Sequence, residues 1–533
     1  MRWSLMILFG VYLDMSGGSL YAQQVTFCEP YSDRFTIKEE MLGRVGDYYW
    51  VSMTTRRKVR HAADPEAEEA RSFIIYDSRM SPVNEISHFY CPGEVLKEYL
   101  INGQEHFDQL YISDAGNRKV GIWVQRYAPD GRPEGEGQVI GSFPFYEPGN
   151  SFLLVRSQDR NLSLLLGFES VGGSTPRMHA LVFDADWRLV SSRVYRHSFL
   201  TQPFIQDDFT GYPLEDFDKG PVKLANNGEW LMLSPSRTDN NYLLSHFNAN
   251  DTVVAWRTII LPTVALIEDM DLSVDNTRAE ASAGILSDFH YNTLKNVRVM
   301  HYSMVTKTFD FDTSYRLRTL GGGKLRNENM VKENFLAVPG HGFLLLKEYG
   351  RAFEDGVDET SYDDGFDPMA LLADNPIEDP TAPGAGVRLK LPQPRYGYAR
   401  YPLLVNPPDH DRGDLSLYYF PGFRGDSCWS GMISEEQVTE MNAPNLSYAV
   451  VPVQDKLFCL YNSFVRNDNL FPASTVLNGQ GRLITDQGVL FWGLKSTLDF
   501  QRLRQVAPDQ VVIPYMHYGK TAFAVVALSA PAR

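Results

Sequence analysis

The chain has 533 residues, of which 43% are hydrophobic and 22% are charged, so its composition is close to the average of globular proteins. Its net charge of −16 repels nucleic-acid phosphates and anionic lipid headgroups, which disfavours nucleic acid and membrane surfaces as partners. An aromatic share of 13% favours strands over helices.

The N-terminal residues 1–22 have the pattern of a secretory signal peptide. A basic Arg2 precedes an apolar stretch at 3–13, and a Ser-Gly-Gly breaker at 16–18 follows it before the expected cleavage after Ala22. No other stretch approaches about 18 apolar residues, so no transmembrane segment is predicted in the mature chain. We therefore expect an exported monomer, periplasmic or extracellular, with a retained N-terminal anchor as the alternative.

The four cysteines do not form a motif. No C-x-x-C pair is present, so neither a zinc site nor a redox site is predicted, and four cysteines in this length are too few for a disulfide framework. The apolar run "KLFCLY" predicts a buried thiol at Cys459. The sequence leaves the disulfide state of Cys28, Cys91 and Cys428 open, a Cys28–Cys91 bridge included.

One pattern recurs along the chain: an apolar strand, a short turn rich in Asp, Asn or Gly, and a second strand. These turn residues tolerate the positive φ of tight hairpins. Successive first strands end 51 to 64 residues apart, except for one interval of 118. Such a period is typical of a β-propeller, whose small blades bury their faces only by stacking around an axis. The first strands end at Tyr76, Tyr127, Phe183, Phe247, Tyr302, Phe420 and Leu477.

Further strands are predicted upstream of the hairpins, for example at 151–157 and 162–168. The C-terminal strands 510–518 and 521–528 lack a following partner, and the strand at 24–30 has no blade of its own. Pairing the N-terminal strand with the C-terminal blade would close the ring and remove an exposed edge. We predict an all-β fold, a single β-propeller over 23–533 with eight four-stranded blades, seven being the alternative.

The interval of 118 residues contains an acidic, Pro-rich segment at about 350–400. It is too polar to bury a blade face, so we predict a long loop inserted within one blade. Tyr and Arg alternate near its end, and both are frequent anchors of protein and glycan contacts, although alternating Tyr is also typical of a buried strand. The predicted partner-binding residues are Arg395, Tyr396, Tyr398, Arg400 and Tyr401.

Three acidic residues follow the insertion: Asp409, Asp411 and Asp414. Their D-x-D spacing is how many calcium loops begin. The glycine and the later glutamate of a full calcium loop do not follow, so these residues match the pattern only in part and a solvated loop is the favoured interpretation. No metal and no cofactor is therefore predicted.

The strand and turn pattern resembles that of bacterial exported β-propeller repeat proteins in general, over nearly all of 23–533. Double glycines of the kelch type do not recur in each blade, and Asp-box and Trp-Asp signatures are missing from the sequence, so no functional residues carry over. We predict a non-catalytic binding or scaffolding protein that recognises a protein or glycan partner through rim loops. The alternative is a polysaccharide-acting hydrolase or lyase with carboxylates at the central funnel.

Overall fold

The computed structural model shows an all-β protein, as predicted. Within the described residues the chain forms strands and one turn of 3-10 helix, and no helix there is long and apolar enough to cross a membrane. The structure describes residues 25–27, 36–57, 68–87, 94–116, 119–144, 151–169, 177–196, 220–235, 241–248, 254–260, 265–289, 294–318, 330–338, 341–353, 409–422, 429–433, 437–439, 448–454, 456–465, 469–479, 483–489, 498–517 and 520–528.

The strands form eight antiparallel sheets, the blades of a β-propeller. The chain begins with β1 (Val25–Phe27). Blade 1 contains β2 (Thr36–Val45), β3 (Tyr48–Arg57), β4 (Glu68–Tyr76) and β5 (Pro82–Ile86). Blade 2 contains β6 (Val95–Asn102), β7 (Phe107–Asp114), β8 (Val120–Tyr127) and β9 (Gln138–Phe143). Blade 3 contains β10 (Ser151–Arg156), β11 (Leu162–Glu169), β12 (Arg177–Asp184) and β13 (Leu189–Arg196).

The next three blades follow in chain order. Blade 4 contains β14 (Val222–Leu224), β15 (Trp230–Pro235), β16 (Tyr242–Phe247) and β17 (Ala255–Ile259). Blade 5 contains β18 (Ala265–Asp275), β19 (Glu280–Phe289), β20 (Leu294–Ser303) and β21 (Thr308–Arg318). Blade 6 contains β22 (Met330–Val338), β23 (Gly342–Phe353), β24 (Asp409–Pro421) and β25 (Trp429–Ile433), with β26 (Gln437–Thr439) also paired to β24.

The last two blades complete the chain. Blade 7 contains β27 (Ala449–Val453), β28 (Lys456–Val465), β29 (Asn469–Asn478) and β30 (Leu483–Val489). Blade 8 contains β31 (Arg504–Ala507), β32 (Gln510–His517) and β33 (Lys520–Ala527), preceded by the 3-10 turn Phe500–Arg502. First strands of neighbouring blades contact each other, as β2 does with β6 and β31 does with β2, so the first strands surround the axis and the fourth strands lie outside.

The ring is closed by β1, which is the fourth strand of blade 8. Thr26 lies directly opposite Val525 of β33, and the order of that sheet is β31-β32-β33-β1. This confirms the predicted pairing of the N-terminal strand with the C-terminal blade and the count of eight blades rather than seven. The short inner strand β31 is the one strand of this blade that was not predicted from the sequence.

Buried apolar side chains fill the interfaces between blades. Between blades 1 and 2, Trp50 stacks on Phe107 with 4.1 Å between the ring centroids. Comparable clusters join each following pair through blades 6 and 7, and one cluster joins blades 7, 8 and 1. Since a small sheet cannot cover both of its own faces, this packing is what stabilises the ring, at about 1.5–3 kcal/mol for each buried large side chain.

The predicted hairpins join the third and fourth strands of blades 1 to 7. In the first of them, the Asp77 side chain accepts hydrogen bonds from the backbone N–H groups of Arg79 and Ser81, both at 2.9 Å. Met80 has a φ of 60°, and Trp187 has the same value in blade 3. An aspartate that closes the turn offsets the cost of this left-handed conformation, which confirms the turn chemistry expected from the sequence.

The two faces of the ring differ in the length of their connections. Because the strands are antiparallel and in chain order, first-to-second and third-to-fourth connections share one face, here called the lower face. Second-to-third connections and those between blades share the opposite, upper face. Every connection longer than ten residues joins strands at the upper face: residues 197–221, 319–329, 354–408 and 490–503.

Candidate functional site

A cluster of charged residues lies where blade 3 reaches the upper face. Glu169 ends β11 directly opposite Arg177, which begins β12, and Arg196 ends β13 on the other side of Arg177. Glu169 Oε2 lies 3.2 Å from His179 Nε2, and Glu169 Oε1 lies 3.5 Å from Arg177 Nη1. We call these four residues, Glu169, Arg177, His179 and Arg196, the blade 3 cluster. Register alone brings them together on one face of the sheet.

The packing of blade 2 buries part of this cluster. The ring of Phe143, at the end of β9, meets His179 edge to face with 6.1 Å between centroids. His179 and Glu169 are largely buried, whereas the Arg177 side chain is 39% exposed and Arg196 is exposed. Burial lowers the pKa of His179; Glu169 opposes this shift, and the two arginines add to it. With a neutral imidazole the cluster carries two cations and one carboxylate, so it can hold an anionic group of a partner.

We expect the stability of the protein to fall as the pH drops below about 6.5, partly through His179. An unfolded histidine titrates near pH 6.5, whereas burial lowers its pKa in the fold, so the unfolded chain takes up the proton first. Stability is therefore full above about pH 6.5 and is lost as the pH falls through the folded-state pKa. Burial also lowers the pKa of His246, which adds a contribution of the same sign.

Urea unfolding of the wild type and of His179→Gln, measured between about pH 5 and about pH 7.5, checks this expectation. The substitution removes one of the two titrations, so the variant should lose less stability on acidification than the wild type does. An identical slope in the two proteins would contradict the assignment.

Two carboxylates of the inner strands connect neighbouring blades. Asp271 of β18 lies 3.9 Å from Lys223 of β14, and its Oδ2 accepts from the backbone N–H of Ala337 in β22 at 2.8 Å. Glu40 of β2 lies 3.3 Å from Arg504 of β31. These contacts give Asp271 and Glu40 a structural role, and the alternative of a polysaccharide-acting enzyme stays a prediction.

Polar contacts also tie the lower face together. In the turns of blades 3, 4 and 5, Asn226 Oδ1 accepts from the backbone N–H of Asp159 at 3.3 Å, and Asn276 Oδ1 accepts from the Asn226 N–H at 2.7 Å. Asn276 Nδ2 donates to Gln158 Oε1 at 3.0 Å. Because these amides hold each other across three blades, we interpret this part of the lower face as structural.

The loop interpretation of Asp409, Asp411 and Asp414 is wrong. All three lie in β24, where Asp409 pairs with Phe353 and Asp411 with Arg351 of β23. The apolar pattern that predicts a strand starts only at the leucine that follows Asp414, but backbone pairing with β23 extends upstream of it. Calcium binding by these residues stays a prediction. Among the side chains that the structure describes, no three His, Cys, Asp or Glu residues are grouped to hold a metal.

The other predicted residues divide into two groups. Cys459 is fully buried between blades 6 and 7, as expected. The remaining predictions lie outside the described residues. These are the signal peptide at 1–22, the cysteines Cys28, Cys91 and Cys428, the insertion from residue 354 onward, and the binding residues Arg395, Tyr396, Tyr398, Arg400 and Tyr401.

The blade 3 cluster was not predicted from the sequence. One signal was available: His179 interrupts the apolar run from Met178 to Phe183, and a polar residue inside a strand buried on both faces needs a partner. The identity of that partner, Glu169, depends on the pairing of β11 with β12.

No protein-family model and no curated protein matches the chain. Among solved structures, the WD40 domain of SCAP from fission yeast is 7% identical, with 95% of this chain and 98% of that chain covered and a TM-score of 0.36. The β-propeller domain of the Trilobed protease from Pyrococcus furiosus is 8% identical, with coverages of 89% and 97% and a TM-score of 0.33. An acylaminoacyl peptidase of Pyrococcus horikoshii is 8% identical, with coverages of 93% and 59% and a TM-score of 0.31. None of these similarities transfers an activity, substrate or partner to this chain.

Proposed function

We propose that this protein is an exported, monomeric and non-catalytic propeller that binds or scaffolds a macromolecular partner, in the first place a protein, through its upper face. The main support for the proposal is that the long connections between strands all join strands at the same face. All those longer than ten residues, the acidic segment 354–408 included, start and end at one face of the ring. Recognition residues are found disproportionately on loops that a rigid scaffold positions.

The polar and charged side chains of the described residues also favour the upper face as the binding surface. At the lower face, Asn226 and Asn276 are occupied in holding blades together. At the upper face, the exposed Arg196 and the partly exposed Arg177 offer guanidinium groups to a partner. Arginine is enriched among the residues that dominate binding energy in protein interfaces.

The geometry of blade 6 permits a clean test of the insertion. Phe353 and Asp409, which flank residues 354–408, are directly paired across β23 and β24. A two-residue Asn-Gly hairpin can therefore replace the segment without changing the register of the blade. The control replaces the lower-face connection 103–106 of blade 2 in the same way, since Asn102 and Phe107 are directly paired across β6 and β7.

The tagged wild type and both variants are used to capture partners by cross-linking from the envelope fraction of the source organism, and the same proteins are applied to a glycan array. We expect both variants to keep the wild-type unfolding midpoint and only the upper-face variant to lose its partner. A third variant reverses the charges of Arg177 and Arg196. The proposal would be overturned if the partner were still captured after removal of 354–408 and after this charge reversal. Binding to glycans alone would move the assignment from a protein to a glycan partner, and polysaccharide turnover would replace binding with catalysis.

A further inference from the structure

The outer strand of blade 3 exposes apolar side chains. Leu189, Val190 and Val194 of β13 are 50%, 58% and 40% exposed, whereas Tyr195 on the opposite face is buried. The other outer strands whose side chains the structure describes in full, β1, β5, β9 and β17, each carry one such residue: Phe27, Val83, Val139 and Trp256. Outer strands usually carry charged residues that prevent pairing with other chains, so three exposed aliphatic side chains on one strand indicate an interaction surface.

The neighbouring blade gives this surface the shape of a step. Gly141 of β9 lies against β12, where a Cβ at this glycine would be 3.7 Å from Leu181 and from Phe183. β9 is the last strand of its sheet, and β13 is the strand next to β12. A strand added beside β9, at the usual spacing of about 4.8 Å, would therefore lie over the exposed face of β13.

The exposed face of β13 has a cationic upper end. By register, Leu189, Val194 and Arg196 share the face that points toward blade 2. Among the described residues no carboxylate lies within ion-pairing distance of Arg196, and Arg177 directly opposite adds a second cation. An occupant of this face therefore needs apolar side chains along its length and a carboxylate at the upper end.

We propose that the outer edge of β9 and the exposed face of β13 together accept an extended segment of a partner protein by strand addition. Its alternate side chains pack on Leu189 and Val194, and a carboxylate pairs with Arg196. The proposed function also uses Arg196, whereas Val194 belongs to the lateral surface alone. Val194→Glu therefore tests this surface independently of the proposed function.

The test uses fluorescein-labelled peptides of about eight residues that alternate Val or Leu with Thr and end in Asp-Glu, at either terminus in separate sets. Matched sets carry Lys-Lys in place of Asp-Glu. Binding to the full-length protein is measured by fluorescence anisotropy. The variants are Val194→Glu and Arg196→Glu, with Val83→Glu on the outer strand of blade 1 as the control, since Val83 is 49% exposed and Val194 is 40% exposed.

We expect the acidic set to bind, and Val194→Glu and Arg196→Glu each to weaken binding by about ten-fold or more, with Val83→Glu unchanged. Arg196→Glu should also gain affinity for the Lys-Lys set. No binding by any acidic peptide, or equal binding by the acidic and basic sets, would overturn the proposal. So would a wild-type dimer that Val194→Glu dissociates, because a second copy of the chain would then be the occupant.

Discussion

Replacement of Trp50 by alanine is expected to lower the free energy of unfolding by about 3–5 kcal/mol. Trp50 is fully buried at the interface of blades 1 and 2, where its ring stacks on Phe107 at 4.1 Å. Its Nε1 donates to the backbone carbonyl of Pro129 at 3.0 Å, so one side chain joins the two blades by packing and by a hydrogen bond. The alanine variant leaves a cavity in the interface and an unpaired carbonyl beside it.

Two further variants separate the contribution of the hydrogen bond from that of packing and provide a control at the exposed surface. Trp50→Phe keeps most of the packing and removes only the donor, so it should cost about 1–3 kcal/mol. Trp256→Ala removes the same side chain from the exposed surface of β17 and should change stability by about 0.5 kcal/mol or less. Chemical unfolding followed by tryptophan fluorescence and by far-UV circular dichroism measures all three. Equal losses for Trp50→Ala and Trp256→Ala would contradict the interface assignment.

Replacement of Asp271 by alanine is expected to destabilise the fold by about 3–5 kcal/mol. Asp271 is 3% exposed on the inner strand of blade 5. Its carboxylate accepts from the backbone N–H groups of Gly220 at 3.1 Å and Ala337 at 2.8 Å, which lie before β14 of blade 4 and in β22 of blade 6. Its removal leaves these partly buried donors without this acceptor and removes the carboxylate beside Lys223.

The control for Asp271 is Asp312→Ala in the same blade. Asp312 pairs with Arg298 through contacts of 2.8 and 2.6 Å, but its side chain is 36% exposed on the outer strand. An ion pair that water screens contributes about 0–1 kcal/mol, so this variant should unfold close to the wild type. Asp271→Asn keeps the shape and one acceptor and should fall between the two. A loss for Asp271→Ala no larger than that for Asp312→Ala would show that the axial carboxylate does not connect the blades.

The sequence predicted the elements whose signal is local. Continuous apolar runs such as those ending at Phe183 and Phe247 identified the third strands, and turn residues such as Asp77 identified the hairpins. Strand β31 was not predicted, because it has only four residues, Arg504–Ala507, and half of them are polar. The start of β24 was predicted as a loop, because Asp409 and its neighbours lack the apolar pattern that identifies a strand in a sequence. These residues pair with β23 through the backbone.

The contacts between blades could not be predicted, because they join residues far apart in the chain. Asp271 meets Ala337 only after blades 5 and 6 have packed side by side, and His179 meets Phe143 across two blades. A single sequence contains no signal for such distances, whereas period and turn chemistry are visible in a window of a few residues. The candidate surfaces of blade 3 also depend on contacts between residues far apart in the chain, so they could not be predicted.

An engineered disulfide between the first and last strands of the chain, β1 and β33, tests the closed ring most directly. Thr26 of β1 and Val525 of β33 are directly opposite, at a Cα separation of about 4.5–5.5 Å, which suits a disulfide. Val512 of β32 pairs with the far side of Val525, about twice the strand spacing from Thr26. The variants Thr26→Cys/Val525→Cys and Thr26→Cys/Val512→Cys are made with the four native cysteines replaced.

Mass analysis without reductant and the unfolding midpoint with and without reductant are then compared for the two variants. The closed eight-bladed ring predicts that the first variant oxidises spontaneously as a monomer and gains about 2–4 kcal/mol of stability, while the second stays reduced. A first variant that stays reduced, or that forms its disulfide only between chains, would contradict the closure of the propeller by its N-terminal strand.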